Sequence, residues 1–361
     1  MDAEPDGTAI GGLGRAGKGA RRSGPRGPGP SRKPTAAMAE APVYGALDLG
    51  TNNCRLLLAR PSHSGFSIID AFSRIVRLGE GLGTSGMLKD AAMERTIEAL
   101  RVCANKMKWH KVGPRRLVAT EACRLAGNGA AFIARVEEEL GLALEIIDRE
   151  TEAHLAAAGA EPLIAVEANS ALVFDIGGGS TEVMWVERGE KSSNVRAWTS
   201  LKAGVVTLSE RHGGGRDVSE DQFSAMRSDV AGLLQPFLTE LQGFNGGGPD
   251  HLLGTSGTVT TIAGVHLGLR HYDRSAVDGT WLENAEAEQV VSRLLAMGYE
   301  QRSQNGCIGK ERADLVLAGC AIMEEIRSAF PDKRIRVADR GLREGILASL
   351  MRAEGHPQRR K

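Results

Sequence analysis

Residues 173–187 read VFDIGGGSTEVMWVE: three glycines and two small hydroxyl residues between two apolar stretches, with Asp175 just ahead of them. A turn of this composition lets backbone N–H groups converge on one point, and the missing Cβ atoms allow a ligand close approach. Converging amides make an anion site. A carboxylate beside that anion is unfavourable unless a cation lies between them, and Mg2+ suits the place because it is usually held by one or two carboxylates, waters and substrate phosphates. The pattern occurs twice. In ALDLGTNNCRLLLAR, from Ala46, Asp48 matches Asp175 and Gly50 matches Gly177 at a common offset of 127 residues. One such turn is equally well a flexible hairpin; two at one offset point to a phosphate chain held from both sides. A third glycine turn, GTSGT at 254–258, follows the short apolar stretch HLLG and opens a helix, where free amides and the helix dipole attract anions. The candidate phosphate contacts are Gly50, Thr51, Asn52 and Asn53, then Gly177, Gly178, Gly179, Ser180 and Thr181, then Ser256, Gly257 and Thr258. Asp48 and Asp175 are the candidate ligands of Mg2+, with Mn2+ as the alternate ion.

These turns need elements to position them. VYGALDL, CRLLLAR and GFSIIDAFS read as three strands joined by tight turns. Asp90 is placed to cap a helix whose apolar positions Met93, Ile97, Leu100, Ala104 and Met107 fall at helical spacing. RRLVAT is a strand, Asn128 is placed to cap a helix that shares Phe132, Val136 and Leu140 on one face and ends at Gly141, LALEII is a strand, and ETEAHLAAAGA begins another helix. The order then restarts: ALVFDIG, TEVMWVE and VRAWTSL as strands, a long amphipathic helix from about Ser219 to Leu241, the breaker cluster QGFNGGGPD, the strand HLLG and the helix TVTTIAGVHLG. Motif and strand order repeat together, which predicts a duplicated α/β unit: domains over 43–168 and 169–350 facing one another across a cleft.

The chain's 361 residues also favour two domains over one core. Apolar residues at 42% and charged residues at 25% are those of an ordinary globular protein. Lys+Arg and Asp+Glu both total 45, so net charge gives no sign of a polyanionic partner. The first 42 residues nevertheless hold seven bases against four acids in a Gly/Pro/Arg-rich segment without aromatics, which predicts a disordered basic tail; residues 351–361 read as a short polar tail. Met38 offers an alternative start, MAEAPVYGALDLG, and the tail lacks the apolar region of a secretory signal. No apolar run reaches the ~18–20 residues of a membrane helix. The five cysteines show no metal-ligand spacing and fit a reducing, cytoplasmic setting better than a disulfide framework. The partners expected are a phosphate-chain substrate, with neither a membrane nor nucleic acid, and a homodimer is left open.

DLGTNNCRLLLAR, ATEACRLAGN, EIIDRETEAHL, FDIGGGSTE, GTSGT and DRGLREGIL occur in this order over roughly residues 43–350. Together they resemble the exopolyphosphatase / guanosine pentaphosphate phosphatase family. The resemblance implies an α/β fold of duplicated ribonuclease-H-like domains of the actin/Hsp70/sugar-kinase superfamily around a cleft. It also implies Mg2+-dependent release of terminal phosphate from polyphosphate or of the 5′ phosphate of guanosine pentaphosphate. Glu152 stands where the family places its catalytic glutamate; from the residues alone it reads as an ordinary acid complementing a helix N-terminus. The resemblance makes it the general base and adds it to the metal-site candidates, with Asp148 and Glu150 as neighbours easily confused with it. Arg124 matches a family arginine expected to reach the substrate phosphate, a surface ion pair being the alternative. Asp175 completes the candidate catalytic set. Cys123 reads as packing, Arg343 and Glu344 as structural family marks, and Asp339 as less defined. The chain departs from the pattern at His154, where relatives often have Arg, and at Glu121, in a usually uncharged stretch. Since it ends soon after DRGLREGIL, it is expected to be a short two-domain form without the extra C-terminal helical domains of long exopolyphosphatases. The competing readings are an ATP-dependent kinase of the same superfamily and a nucleotide-binding protein without turnover. Domain closure is expected, hinged on the helical segment between the domains.

Overall fold

The computed structural model describes residues 41–63, 65–189, 193–244 and 248–356. The expected N-terminal tail, apart from its last two residues, the three middle residues of the breaker cluster and the last residues of the polar C-terminal end lie outside them. Two mixed sheets form. The first is ordered β3-β2-β1-β4-β5 and comprises β1 (Tyr44–Leu49), β2 (Asn53–Ser62), β3 (Gly65–Ile75), β4 (Arg115–Ala119) and β5 (Glu145–Ile146). The second is ordered β10-β11-β9-β6-β7-β8 and comprises β6 (Ser170–Ile176), β7 (Thr181–Glu187), β8 (Asn194–Leu201), β9 (His251–Thr255), β10 (Trp281–Leu282) and β11 (Ile335–Ala338). In each, an antiparallel meander of three strands joins parallel strands on the far side of its first strand. The duplication extends to the register. Asp48 stands opposite Arg55 across β1–β2, and Asp175 opposite Glu182 across β6–β7.

Side chains alternate across each sheet, as strand geometry requires. Leu47 and Leu49 enter an outer core with helix α2 (Asp90–Trp109) and helix α4 (Gly129–Leu140), while Tyr44 and Ala46 point into an inner core. In the second sheet Leu172, Phe174 and Ile176 pack outward beneath α7 (Glu220–Gln242), α8 (Ser256–His266) and α12 (Val316–Ser328). Phe174 is fully buried, and burial on this scale stabilises by about 1.5–3 kcal/mol per large apolar side chain. Ser219 caps α7 through a reciprocal bond pair with Gln222.

The inner faces are covered by two helices that exchange sheets. Helix α5 (Arg149–Ala160) follows the first sheet in sequence, yet Ala153, Ala156, Ala157 and Ala160 pack on Ala171, Val173 and Met184 of the second. Helix α13 (Leu342–Ala353), assigned by sequence to the 169–350 unit and running into the expected polar tail, lays Ile346, Leu347 and Met351 on Tyr44, Ala46 and Leu57 of the first. A boundary at 168/169 therefore separates the two sheets but not the helices that cover them. The exchange requires the two helices to touch backbone to backbone. A Cβ on Gly159 would meet the Gly341 carbonyl, and one on Gly345 the Leu155 carbonyl.

Local expectations shift in four places. Asp90 is the first residue of α2 rather than its cap, which is Lys89. Asn128 does occupy the cap position of α4, but its side chain clamps the Leu88 backbone instead, with Nδ2 donating to Leu88 O at 3.0 Å and Oδ1 accepting from Leu88 N at 2.8 Å. The strand expected over LALEII pairs only at Glu145–Ile146, because it is an edge with one short neighbour. Residues 268–338 add β10, β11 and several short helices to which no pattern was assigned. Among the described residues no helix is long and apolar enough to cross a membrane.

Candidate active site

Each glycine turn closes in the same way. Gly50 N donates to Asn53 O and Gly177 N to Ser180 O, both at 2.9 Å. These two amides are consumed in shaping the turns and are not available to an anion. Those of Thr51, Asn52, Gly178, Gly179 and Ser180 make no hydrogen bond among the described residues. The turns meet across the cleft: a Cβ on Gly178 would lie 3.0 Å from Thr51 Cβ and 3.1 Å from Asn52 N. A side chain there would force one of the turns to give way. The turns are also braced from outside, since Val206 N donates to Gly178 O and Thr207 Oγ1 to Gly179 O.

Not every hydroxyl near the turns faces the cleft. Thr181 is buried with Oγ1 donating to Ala203 O at 2.6 Å, so its side chain belongs to the fold and not to a ligand. Ser180 Oγ donates to Glu182 at 2.8 Å. Asn52 and Asn53 each have a buried side-chain oxygen without a hydrogen-bond partner in the cleft lining. The third turn forms where β9 passes into α8. Ser256 adopts φ 97°, a left-handed conformation rare for a residue with a side chain, and Gly257 beside it leaves room for Arg312, whose Nη1 would lie 3.2 Å from an added Cβ. Thr258 Oγ1 packs on Gly319, and its amide donates to Ser256 Oγ at 3.3 Å.

These residues enclose a chamber of about 120 Å³ lined by Asp48, the two turns, Glu121, Glu152, Asp175 and Glu182. Through Asp48, Arg55, Asp175, Ser256 and Arg312 it adjoins a wider space of about 400 Å³ reaching Tyr272, Arg340 and Arg343. Five carboxylates therefore share this volume. Burial raises the proton affinity of Asp48 and Asp175, and mutual repulsion adds to it at Asp48, while Arg55 and Arg343 oppose the rise there. Glu152 is held well above the ordinary glutamate range by burial and by the charge of Glu182, against the pull of Arg124. Glu182 is pushed up to about 7 by burial and by Asp175, although Ser180 and Ser200 both donate to it.

Glu152 lies in the first turn of α5 and faces the chamber, whereas Glu150 is exposed and Asp148 caps the helix by accepting from Thr151 N at 2.7 Å. Arg124 does not point at the turns. Its guanidinium donates to Glu152 at 3.0 Å, to Glu121 at 3.0 Å through Nε, and to the Ile147 carbonyl. The reason is Glu121, buried at 3%, which also receives Arg149 at 2.6 Å and so needs both cations. His154 is exposed and turned to the Glu150 carbonyl, away from the cleft. Cys123 is buried, and desolvation pushes its thiol up to about 12, the state of a packing residue. Glu344 accepts from Gly341 N and from Arg274, and Asp339 from Tyr272 Oη, so both brace the entry to α13.

Three cleft residues were not picked out by sequence reasoning: Arg55, Arg312 and Glu182. Arg55 and Glu182 are legible in the repeat, each seven residues beyond its aspartate. Arg312 lies in the stretch that carried no motif. Neither Arg55 nor Arg312 makes a side-chain hydrogen bond or ion pair among the described residues.

The model of the Ppx/GppA phosphatase family matches residues 57–354. The chain belongs to this family. A Ppx/GppA family member from Aquifex aeolicus is 29% identical, with a TM-score of 0.72 over 87% of this chain and 99% of that one. An exopolyphosphatase-like protein is 28% identical, with a TM-score of 0.78 over 86% and 99% of the two chains. An exopolyphosphatase from Cytophaga hutchinsonii, at 23% identity and a TM-score of 0.78 over 87% and 98%, shares the fold. This Ppx/GppA chain accordingly has the actin-like architecture, and its two glycine turns are the equivalent turns of the two halves.

Proposed function

We propose that this Ppx/GppA family phosphatase releases terminal orthophosphate from inorganic polyphosphate, the 5′ phosphate of guanosine pentaphosphate, or both, with Mg2+ as cofactor. The observation that carries the reading is the small chamber in which free turn amides, Glu152 and two opposed aspartates converge. At about 120 Å³ it is smaller than the ~300–1,000 Å³ of pockets that take whole organic ligands. It suits one phosphoryl group, with the rest of the substrate in the wider space beside it.

The amides of Thr51, Asn52, Gly178, Gly179 and Ser180 hold the oxygens of the terminal phosphoryl group. Arg55 and Arg312, both unpaired, hold the next phosphates of the chain. Glu152 takes the proton from a water whose oxygen bonds to the terminal phosphorus as the bridging P–O bond breaks. The shortened chain leaves with the bridging oxygen. Arg124, anchored by Glu121, keeps the Glu152 carboxylate aimed at the chamber. A raised proton affinity suits Glu152 to this role, since a base poised nearer neutrality accepts a proton more readily.

The site's residues fit a magnesium ion. Asp48 and Asp175 are half-buried at the two strand ends, the Asn52 and Asn53 oxygens lack partners among the described residues, and the surplus of carboxylate charge calls for a cation. Among the described residues no cluster of three or more acidic, His or Cys side chains is placed to hold a metal, so the ion would depend on waters and phosphate oxygens for the rest of its shell. When bound, the ion supplies charge neutralisation on the phosphoryl oxygens. The test is phosphate release from polyphosphate and from guanosine pentaphosphate side by side, with and without Mg2+. Release from at least one substrate that stops on chelation is expected, and no release from either overturns the reading.

A further inference from the structure

The two halves are joined differently on the two sides of the cleft. On one side α5 and α13 cross at Gly159 and Gly345 with backbones in contact. On the other, the segment leaving β3 reaches over to the second half. Arg77 Nη1 donates to Asp314 Oδ2 at 2.9 Å and Nη2 to Asp314 Oδ1 at 3.1 Å, a fork-on-carboxylate pair, and Nη2 also donates to the Glu311 carbonyl at 3.1 Å. Gly81 N donates to Glu210 Oε1 at 3.0 Å beside it. These contacts bridge residues more than a hundred positions apart, between parts of the chain that share no sheet.

Both ends of the pair are tied to the site. Arg77 adopts φ 49°, a left-handed conformation for a residue that gains nothing locally from it. Its amide and that of Val76 donate to Asn52 O at 3.0 and 2.9 Å, and Gly79 N donates to Thr51 O at 2.9 Å. The backbone that presents Arg77 is therefore the backbone that supports the first glycine turn. Asp314 lies two residues after Arg312, and its carbonyl accepts from Ser209 Oγ at 3.4 Å. The pair is partly exposed, at 37% and 23% of the side chains, so it contributes modestly and breaks readily. A contact that must release on every turnover has to be of this kind.

We propose that the Arg77–Asp314 pair is the latch of the closed cleft, and that Arg77 is a positioning residue that holds the Thr51–Asn52 turn in register with Arg312. The kinetic consequence rests on the proposed hydrolase reading; the conformational one does not. The five native cysteines are all buried, so spin labels go on the full chain through Asn105→Cys and Gln289→Cys, exposed positions on opposite halves. Inter-label distances are measured by double electron–electron resonance without substrate, in Arg77→Met, in Asp314→Asn and in both together. Each single variant is expected to shift the distribution to longer separations and, without the labels, to raise KM for phosphate release about two- to fivefold while kcat is not lowered. The double variant should be no worse than Arg77→Met alone, because that substitution already removes the pair together with the bond to the Glu311 carbonyl. Distances identical to those of the unsubstituted chain, or single effects that add, would overturn the latch. If neither polyphosphate nor guanosine pentaphosphate is cleaved by the wild-type chain, the hydrolase reading fails and the distance measurement still decides the latch.

Discussion

The two glycine turns share one construction, but the residue facing each aspartate differs in sign of charge. Asp48 and Asp175 sit at matching strand ends, and each turn is closed by one amide-to-carbonyl bond of the same length. The residue opposite each aspartate then diverges: Arg55 in the first half, Glu182 in the second. The elements that follow diverge too. After β4 comes Glu121 with Arg124, and after β9 comes only Ser256-Gly257-Thr258 with Arg312 leaning over it. A duplicated scaffold has thus been specialised. The backbone geometry of the turn is kept in both copies, while the side-chain charge beside it was redistributed: Arg55 stands across from Asp48, and Glu182 across from Asp175. In the proposed reaction the matching turns would hold a phosphate, and the asymmetry would give it a direction in which to be cut.

That contrast can be broken first at the carboxylate side. Glu152→Gln keeps the shape and removes the base, and kcat for phosphate release should fall by about 10²–10⁴-fold; activity equal to wild type would remove Glu152 from the chemistry. The cationic side should behave otherwise. Arg55→Met is expected to raise KM about tenfold or more with kcat nearly unchanged, the signature of lost uniform binding to the chain of phosphates. A fall in kcat alone would place Arg55 in the transition state.

The carboxylate surplus also predicts an unusual pH dependence. Glu182 is raised from 4.5 to about 7 in the folded chain, so the native state binds that proton more tightly than the unfolded state does. The associated stability is fully present below pH 4.5 and is lost as pH rises through about 7, on the order of 3 kcal/mol. Asp48, Asp175 and Glu152 act in the same direction. Thermal midpoints measured without divalent ions should therefore drop from pH 5 to pH 8, and Mg2+ should restore more at pH 8 than at pH 5. Glu182→Gln should flatten the drop. The smallest effect expected is at the turn contact. Gly178→Ala places a methyl group against Thr51, and should cost about 1–3 kcal/mol of stability while raising KM; calorimetry and a substrate titration check the two parts.

Much of this arrangement was legible before any coordinates. The repeat at an offset of 127 residues, with its aspartates and glycines, implies paired turns because only glycine suits amides that must converge and backbones that must meet. Ser219 with Gln222 three residues on announces the start of α7. Arg124 was harder. The family resemblance made it a phosphate contact, with an ion pair as the alternative, and a buried Glu121 three residues away claims the guanidinium; burial is not a property of local sequence. Gly50 and Gly177 were credited with binding amides that the turns themselves consume. Arg312 lay in a stretch of short helices without periodicity, where nothing local marks a cleft residue.

By itself the sequence determined β1 to β9, the two turns and the residue types available for phosphate chemistry, since these follow from side-chain periodicity and from glycine's lack of a Cβ. Tertiary structure alone decided which carboxylates share a buried volume, which cations remain unpaired, and that α5 and α13 exchange sheets across the Gly159–Gly345 contact. Proton affinity and charge pairing depend on solvent exclusion and on distances between residues far apart in the chain. Those quantities come into being only when the two halves close on one another.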